Sequence, residues 1–290
     1  MRRSTILHFT AVTISLALVL VGQASAQAPE GKEEPAQSQP ADASASAQAA
    51  ALAKQLSNPV ASLVSVPFQM NWDGGIGPDE DTRFIMNFQP VMPFRMSEKL
   101  NLIARVIVPY VGQAASGPGG AAPSGISDIL FSAFFSPAQP RGAIWGVGPV
   151  FQLPTTSDPA LGTEKWGFGP TFLILKQSGP WTYGMLANQV WSFAGDEDRT
   201  DVNQTYLQPF LSYGTKSAVT FGVNSESAAN WEASDGEEWT VPINFTISKV
   251  AKIGKKPISL GTGVGVYADQ PTGGPEWKFR TVVTLLFPAK

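Results

Sequence analysis

From Ala61 onward, apolar and polar residues exchange places with a period of two. Val64, Val66, Phe68, Met70 and Trp72 alternate with Ser65, Pro67, Gln69 and Asn71. Phe84, Met86, Phe88, Met92 and Phe94 alternate with Arg83, Asn87 and Gln89. Leu100, Leu102, Ala104, Val106, Val108 and Tyr110 alternate with Asn101 and Arg105. The same rhythm runs from Trp239 to Ser248 and from Trp277 to Phe287, where Lys278, Arg280 and Thr284 hold the polar phase. Such alternation marks β-strands whose two faces meet different surroundings. Runs of about ten residues suit tilted strands that cross a bilayer.

Twelve such runs are predicted, at 62–73, 82–94, 98–110, 125–136, 142–153, 165–176, 180–193, 201–213, 217–226, 236–249, 257–268 and 276–287. Those at 125–136 and 201–213 are ambiguous in phase. Long and short links alternate: Asp73 to Asp81 is long, Arg95-Met96-Ser97 short, Val111 to Ser124 long, Gln177-Ser178-Gly179 short. Lys249 to Lys256 fits the short set poorly. The expected fold is all-β: a closed antiparallel up-and-down transmembrane β-barrel of about twelve strands, with short turns at one end and longer loops at the other.

A soluble sandwich or barrel would alternate too, with inside and outside exchanged. Two features oppose it. A dry core would have to satisfy Arg83, Asn87, Gln89, Arg105, Glu226, Lys278 and Arg280 at considerable cost. Trp72, Tyr110, Trp145, Trp166, Trp181, Trp191, Trp239, Tyr267 and Trp277 fall near strand ends, where interfacial girdles sit. Against the barrel stand Pro67, Pro90, Pro109, Pro149, Pro170, Pro209 and Pro242, since a closed sheet has no free edge to absorb a missing donor.

The N-terminus supplies a third argument for export to a membrane. Met1-Arg2-Arg3, the apolar Ile6–Val21 stretch and Ala24-Ser25-Ala26 have the layout of a secretory signal peptide, with cleavage expected after Ala26. The sole histidine, His8, would leave with it, and there is no cysteine. The mature chain then offers no Ser-His-Asp triad, thiol nucleophile, His/Cys zinc site or disulfide. Loss of Arg2 and Arg3 takes the 20 basic residues to 18 against 23 acidic ones, a net charge of −5. Nucleic acid is not an expected partner, and no cofactor is expected. The domain plan is a signal peptide (1–26), a disordered leader (27–47), a short helix and candidate plug or cap (48–59), and a barrel (60–290). The leader is assigned from its Ala, Gln, Ser, Pro and Glu content.

Asn58-Pro59-Val60-Ala61-Ser62-Leu63, Gln89-Pro90-Val91-Met92-Pro93, Gly146-Val147-Gly148-Pro149, Leu153-Pro154-Thr155, Trp181-Thr182-Tyr183-Gly184 and Gln208-Pro209-Phe210 carry a family likeness. Trp239-Thr240-Val241-Pro242-Ile243-Asn244, Gly274-Pro275-Glu276-Trp277 and Leu286-Phe287-Pro288 complete it. From about Leu52 to Lys290 the chain resembles the outer-membrane family named for the meta-pathway of phenol degradation, described as a transporter. That resemblance implies an outer-membrane barrel linked to uptake of aromatic or other small apolar compounds, with no catalytic residues to carry over. It also makes Pro90, Pro149, Pro209 and Pro242 features of the family pattern. The ending Pro288-Ala289-Lys290 departs from the terminal aromatic common in such barrels.

The expected function is diffusion of a small solute across the outer membrane. Expected partners are outer-membrane lipid and lipopolysaccharide, the solute, and the insertion machinery. The candidate lumen-facing residues are Arg83, Asn87, Gln89, Arg105, Glu226, Lys278 and Arg280. Their cations would form either a selecting constriction or structural salt bridges with Glu226 or Asp128. The acidic groups Asp196-Glu197-Asp198 with Asp201, and Asp79-Glu80-Asp81 with Asp73, have carboxylates enough for calcium, but solvated loop charge is the plainer expectation. Gly117–Gly120 lacks the Gly-Lys-Ser/Thr ending of a phosphate loop. The alternatives are a structural or adhesive barrel with an occluded lumen, and an outer-membrane enzyme.

Overall fold

The computed structural model describes residues 40–113, 122–254 and 256–288. The signal peptide, the leader up to residue 39 and Gly117–Gly120 lie outside them. Strands β1 (Leu63–Ile76), β2 (Asp81–Phe88 and Val91–Arg95), β3 (Leu100–Gly112), β4 (Ser124–Ile126 and Ile129–Pro137), β5 (Ile144–Leu153) and β6 (Lys165–Ser178) make the first half. The second half holds β7 (Trp181–Gly195), β8 (Asn203–Gly214), β9 (Val219–Ser225 and Ser227–Asn230), β10 (Trp239–Ile253), β11 (Lys256–Asp269) and β12 (Trp277–Pro288). Each strand pairs antiparallel with its predecessor, and β12 returns to β1 from Leu63↔Pro288 to Gly74↔Trp277. The result is a closed barrel of 12 strands, in which each described strand has a neighbour on both sides.

All the expected runs became strands, and the corrections concern where they stop. β1 continues through Asp73-Gly74-Gly75 to Ile76, so the expected long link shrinks to Gly77–Glu80. Gly75 and Gly77 adopt φ of 78° and 67°, a bend that side chains resist. β9 resumes beyond Glu226 as Ser227–Asn230, where small residues carry no apolar mark to read. β10 runs to Ile253 and β11 begins at Lys256, which makes that connection one of the tightest.

Outside, the wall is apolar. Trp145 and Trp181 lie near the end where β1 begins, here the lower end. Trp166, Trp191 and Trp277 lie near the upper end, with Phe172, Ile174, Phe221, Phe245, Leu260 and Val264 between them, all exposed. An exposed apolar band of this extent, with aromatic residues at both margins, is built for hydrocarbon rather than water. Tyr267 does not join the girdle. It turns inward and donates its hydroxyl to Asp73 Oδ1 at 2.9 Å.

Helix α1 (Pro40–Leu56) begins eight residues before the expected short helix and takes in the second part of the expected disordered leader. Alternate alanines from Ala41 to Ala47 explain the extension, because alanine is the best helix former and Pro40 suits a first helical position. The helix does not stand alone. Ala53 is buried with Leu63, Ala218, Val250 and Leu286, and Gln177 Nε2 donates to the Lys54 carbonyl at 2.9 Å. The helix stops at Leu56, and Asn58 Oδ1 then accepts from Val60 N–H at 3.1 Å, which turns the chain into the barrel.

Val60 enters an apolar collar formed by the inward side chains of Ile103, Phe134, Leu173, Leu175 and Leu186. The lower interior is therefore apolar, against the simple expectation of a polar inner face. It also explains the ambiguous phase of 125–136 and 201–213. In β4 Phe134 points in and Phe135 out; in β8 Phe210 joins the collar while Leu211 is exposed.

Candidate functional site

Above the collar the interior becomes polar, and the strand register explains which side chains meet. Asn71 pairs with Arg280, Asp73 with Lys278 on one side and with Arg83 on the other. In an antiparallel pair, directly opposed residues share a face. Asp73 lies between Arg83 Nη2 at 3.3 Å and Lys278 Nζ at 3.6 Å. Arg280 donates from Nε to Asn71 Oδ1 at 2.6 Å, and from Nη1 and Nη2 to the two oxygens of Glu226 at 2.8 and 2.6 Å. Lys278 Nζ stands 4.0 Å from Glu226. Asn244 Nδ2 donates to Asn224 Oδ1 at 2.9 Å.

The glycines of β11 make room for this cluster. Gly263 and Gly265 are register partners of Arg280 and Lys278. A Cβ at Gly265 would come 2.5 Å from Asn244 Oδ1 and 3.4 Å from the Lys278 Cβ. The bare strip allows long side chains to lie along the wall instead of filling the bore.

Two backbone lapses frame Glu226. The β8–β9 ladder breaks between Phe210↔Asn224 and Leu207↔Ser227, where Pro209 faces Ser225. The β9–β10 ladder breaks between Ser225↔Ile243 and Ala228↔Thr240, where Pro242 faces Glu226. Proline has no N–H to give, so each supplies one missing donor. Pro90 falls in the gap between the two pieces of β2, and Pro149 stands opposite Pro170. The in-strand prolines are thus accommodated by local interruptions of the ladder, and the barrel closes around them.

Asn87, Gln89, Arg105 and Glu226 line an interior chamber of about 310 Å³, together with Gln69, Tyr206 and Gln208. Gln89, Arg105 and Gln208 also line a second chamber of about 200 Å³ beneath, bounded below by Leu56, Asn58 and Pro59. These three side chains therefore lie where the two chambers meet, with Arg105 Nη2 donating to Gln89 Oε1 at 2.8 Å. Arg83, Lys278 and Arg280 belong to the ion-pair cluster beside the upper chamber. The salt-bridge alternative is realised for Glu226 and not for Asp128, which instead accepts from Thr163 N–H and Oγ1 at 2.6 and 2.7 Å.

Asp73, expected in a loop acid group, is buried inside β1 as the partner of two cations, because the strand runs on past it. Asp201 is also engaged, with Lys165 Nζ at 3.1 Å and Ser192 Oγ at 3.0 Å. The hydrogen bond from Lys165 holds the Asp201 carboxyl below its ordinary value. Among the described residues no group of three or more His, Cys, Asp or Glu side chains is placed to hold a metal ion. Sequence reasoning also missed Tyr206, Gln208 and Tyr267. An aromatic at a strand end reads as a girdle residue, and an aromatic beside the collar reads as outward-facing. The glycine repeat Gly261-Thr262-Gly263-Val264-Gly265 was the available signal for a bare inner strip.

No family model matches the chain, and no curated protein sequence matches it. Among solved structures, an outer-membrane channel from Pseudomonas putida F1 is similar with a TM-score of 0.60 at 14% identity, over 78% of this chain and 94% of that one. The NanC porin is similar with a TM-score of 0.50 at 9% identity, over 78% of this chain and 100% of that one. At these identities the likeness concerns the fold: this chain is a closed 12-strand antiparallel barrel of the kind found in outer-membrane proteins.

Proposed function

We propose that the chain is an outer-membrane channel that admits a small solute by diffusion. The observation that carries this is the polar interior: two chambers meet at Gln89, Arg105 and Gln208, inside a wall whose exterior is apolar. The fold likeness to a channel and a porin supports it, as does the export layout of residues 1–26. Membership of the phenol meta-pathway family, carried by the nine ordered segments, belongs to the same proposal. So do an aromatic or apolar solute, contact with outer-membrane lipid and lipopolysaccharide, and delivery by the insertion machinery. Catalysis is not part of it, since a chain with no cysteine and only His8 lacks the groups of the usual hydrolytic designs.

Reconstitution of the purified chain in liposomes tests the proposal, with swelling rates measured for a series of neutral solutes of rising size. Swelling that falls with solute size is expected. A rate equal to empty liposomes for every solute would sink it. One observation favours a second possibility, a structural barrel with an occluded lumen: Val60 packs into the apolar collar at the lower end. Conductance that stays at zero when residues 27–60 are deleted would select that alternative.

A further inference from the structure

Each cation of the interior cluster except one has a carboxylate partner. Arg83 and Lys278 share Asp73, and Arg280 occupies both oxygens of Glu226. Arg105 differs. Among the described residues no carboxylate lies within 4.0 Å of it, and its one side-chain hydrogen bond goes to Gln89 Oε1. A guanidinium carries five N–H donors in a planar fork, so most of the fork is open to a ligand. A half-buried cation left without an anion is costly to keep in a protein wall.

The surroundings of Arg105 are two-sided. Gln69, Asn87 and Gln208 offer amide groups on the side of the ion-pair cluster, while Ile107, Leu130, Val150 and Val190, with Ser132 and Asn188 beside them, line the other side of the same chamber. Val150 and Val190 pack into one buried apolar patch with Leu130 against them. Gly167 of β6 sits under that patch, where a Cβ would come within 2.6 Å of Val190 Cγ1. The apolar wall is therefore a constructed surface, one that closes over a strand with no side chain at that point. A sugar would waste it, and a bare hydrocarbon would leave Arg105 unsatisfied. A dianion would exceed the one open cation, Arg105.

We propose that the upper chamber is a binding site for a small amphiphilic monocarboxylate. Its carboxylate is taken by the open fork of Arg105 and its apolar body lies against Ile107, Leu130, Val150 and Val190. The planar fork matches a carboxylate in two parallel hydrogen bonds. A volume of about 310 Å³ is at the small end of ligand pockets. The inference deepens the channel proposal and rests on it for the route by which the solute arrives.

The test uses the full chain in lipid nanodiscs and two probes of one shape, benzoate and the neutral benzamide, titrated calorimetrically. Benzoate is expected to bind at least tenfold more tightly than benzamide. Arg105→Gln is expected to abolish that ratio, and Arg105→Lys to keep part of it. Equal affinity for the two probes in the unaltered chain, or an unchanged ratio in Arg105→Gln, overturns the site. Heat-modifiable gel migration checks that the variant folds; if it does not, the benzoate-to-benzamide ratio of the unaltered chain decides alone. Liposome swelling separates this from the channel proposal. Solute entry without a benzoate preference removes the site and leaves the channel, whereas a preference without any solute entry removes the channel and leaves the site.

Discussion

Arg280 grips Glu226 through both terminal nitrogens, at 2.8 and 2.6 Å, although the two residues are 54 positions apart and stand on strands β12 and β9. The Arg280 side chain is 5% exposed and that of Glu226 17%. The pair spans the glycine strip of β11 and the Asn244 position of β10, so it ties the barrel seam to the strand interrupted by Pro209 and Pro242. Such a buried pair is costly to break from one side, because Glu226 would then keep only the longer contact with Lys278, at 4.0 Å.

Arg280→Ala is expected to destabilise the barrel by about 3 kcal/mol. The double variant Arg280→Met with Glu226→Leu is expected to recover at least half of that loss, because no orphan charge remains. Urea unfolding in lipid vesicles, followed by tryptophan fluorescence, reads both. Equal losses in the single and double variants would show that the pair is not coupled.

The collar around Val60 makes a second prediction. Val60 is 5% exposed, among Ile103, Phe134, Leu173, Leu175 and Leu186. Val60→Asp would bury a carboxylate there without a partner, so the segment should leave the interior. Single-channel conductance in planar bilayers is expected to rise at least twofold. An unchanged conductance would mean that residues 56–61 do not limit the bore.

Pro209 and Pro242 are expected to cause the ladder lapses on either side of Glu226. Pro209→Ala together with Pro242→Ala restores two donors, each worth about 1 kcal/mol when paired. Hydrogen exchange of segment 222–230, read by mass spectrometry, should slow by an order of magnitude or more. Exchange at the original rate would place the cause elsewhere.

At the upper end, Glu237 joins two loops by accepting from Thr272 N–H and from Thr272 Oγ1, the latter at 2.6 Å. The Thr272 side-chain and backbone hydrogen bonds hold the Glu237 carboxyl below its ordinary value. A group with a lowered folded pKa contributes its tie fully above the unfolded value, about 4.3, and loses it as pH falls through the folded one. Exchange of the Thr272 amide should therefore accelerate below about pH 4 relative to its intrinsic rate. In Glu237→Ala it should be fast at all pH values. An acid-insensitive amide in the unaltered chain would contradict the tie.

The strands were legible because their two faces meet different media, and alternation with a period of two is the direct print of that difference. Arg105 and Arg280 could be assigned to the inner face from phase alone. The same rule failed where the inner face is itself apolar. Phe134, Leu173, Leu175 and Phe210 turn inward because the chain's own Val60 and α1 fill the lower interior, and no local pattern records what will occupy a space.

Partnerships followed the same division. Periodicity and the rhythm of the connections determined a closed barrel of about twelve strands, since each strand carries its own evidence within about ten residues. Which charges neutralise one another was decided only by tertiary structure: closure brings Asp73 against Lys278, and the lateral stacking of β9 to β12 sends Arg280 over Gly263 to Glu226. The first contact joins opposite ends of the chain, and the second joins strands 54 residues apart. Their energy depends on a register that exists only once the sheet has met itself, and that leaves Arg105 as the cation without a carboxylate.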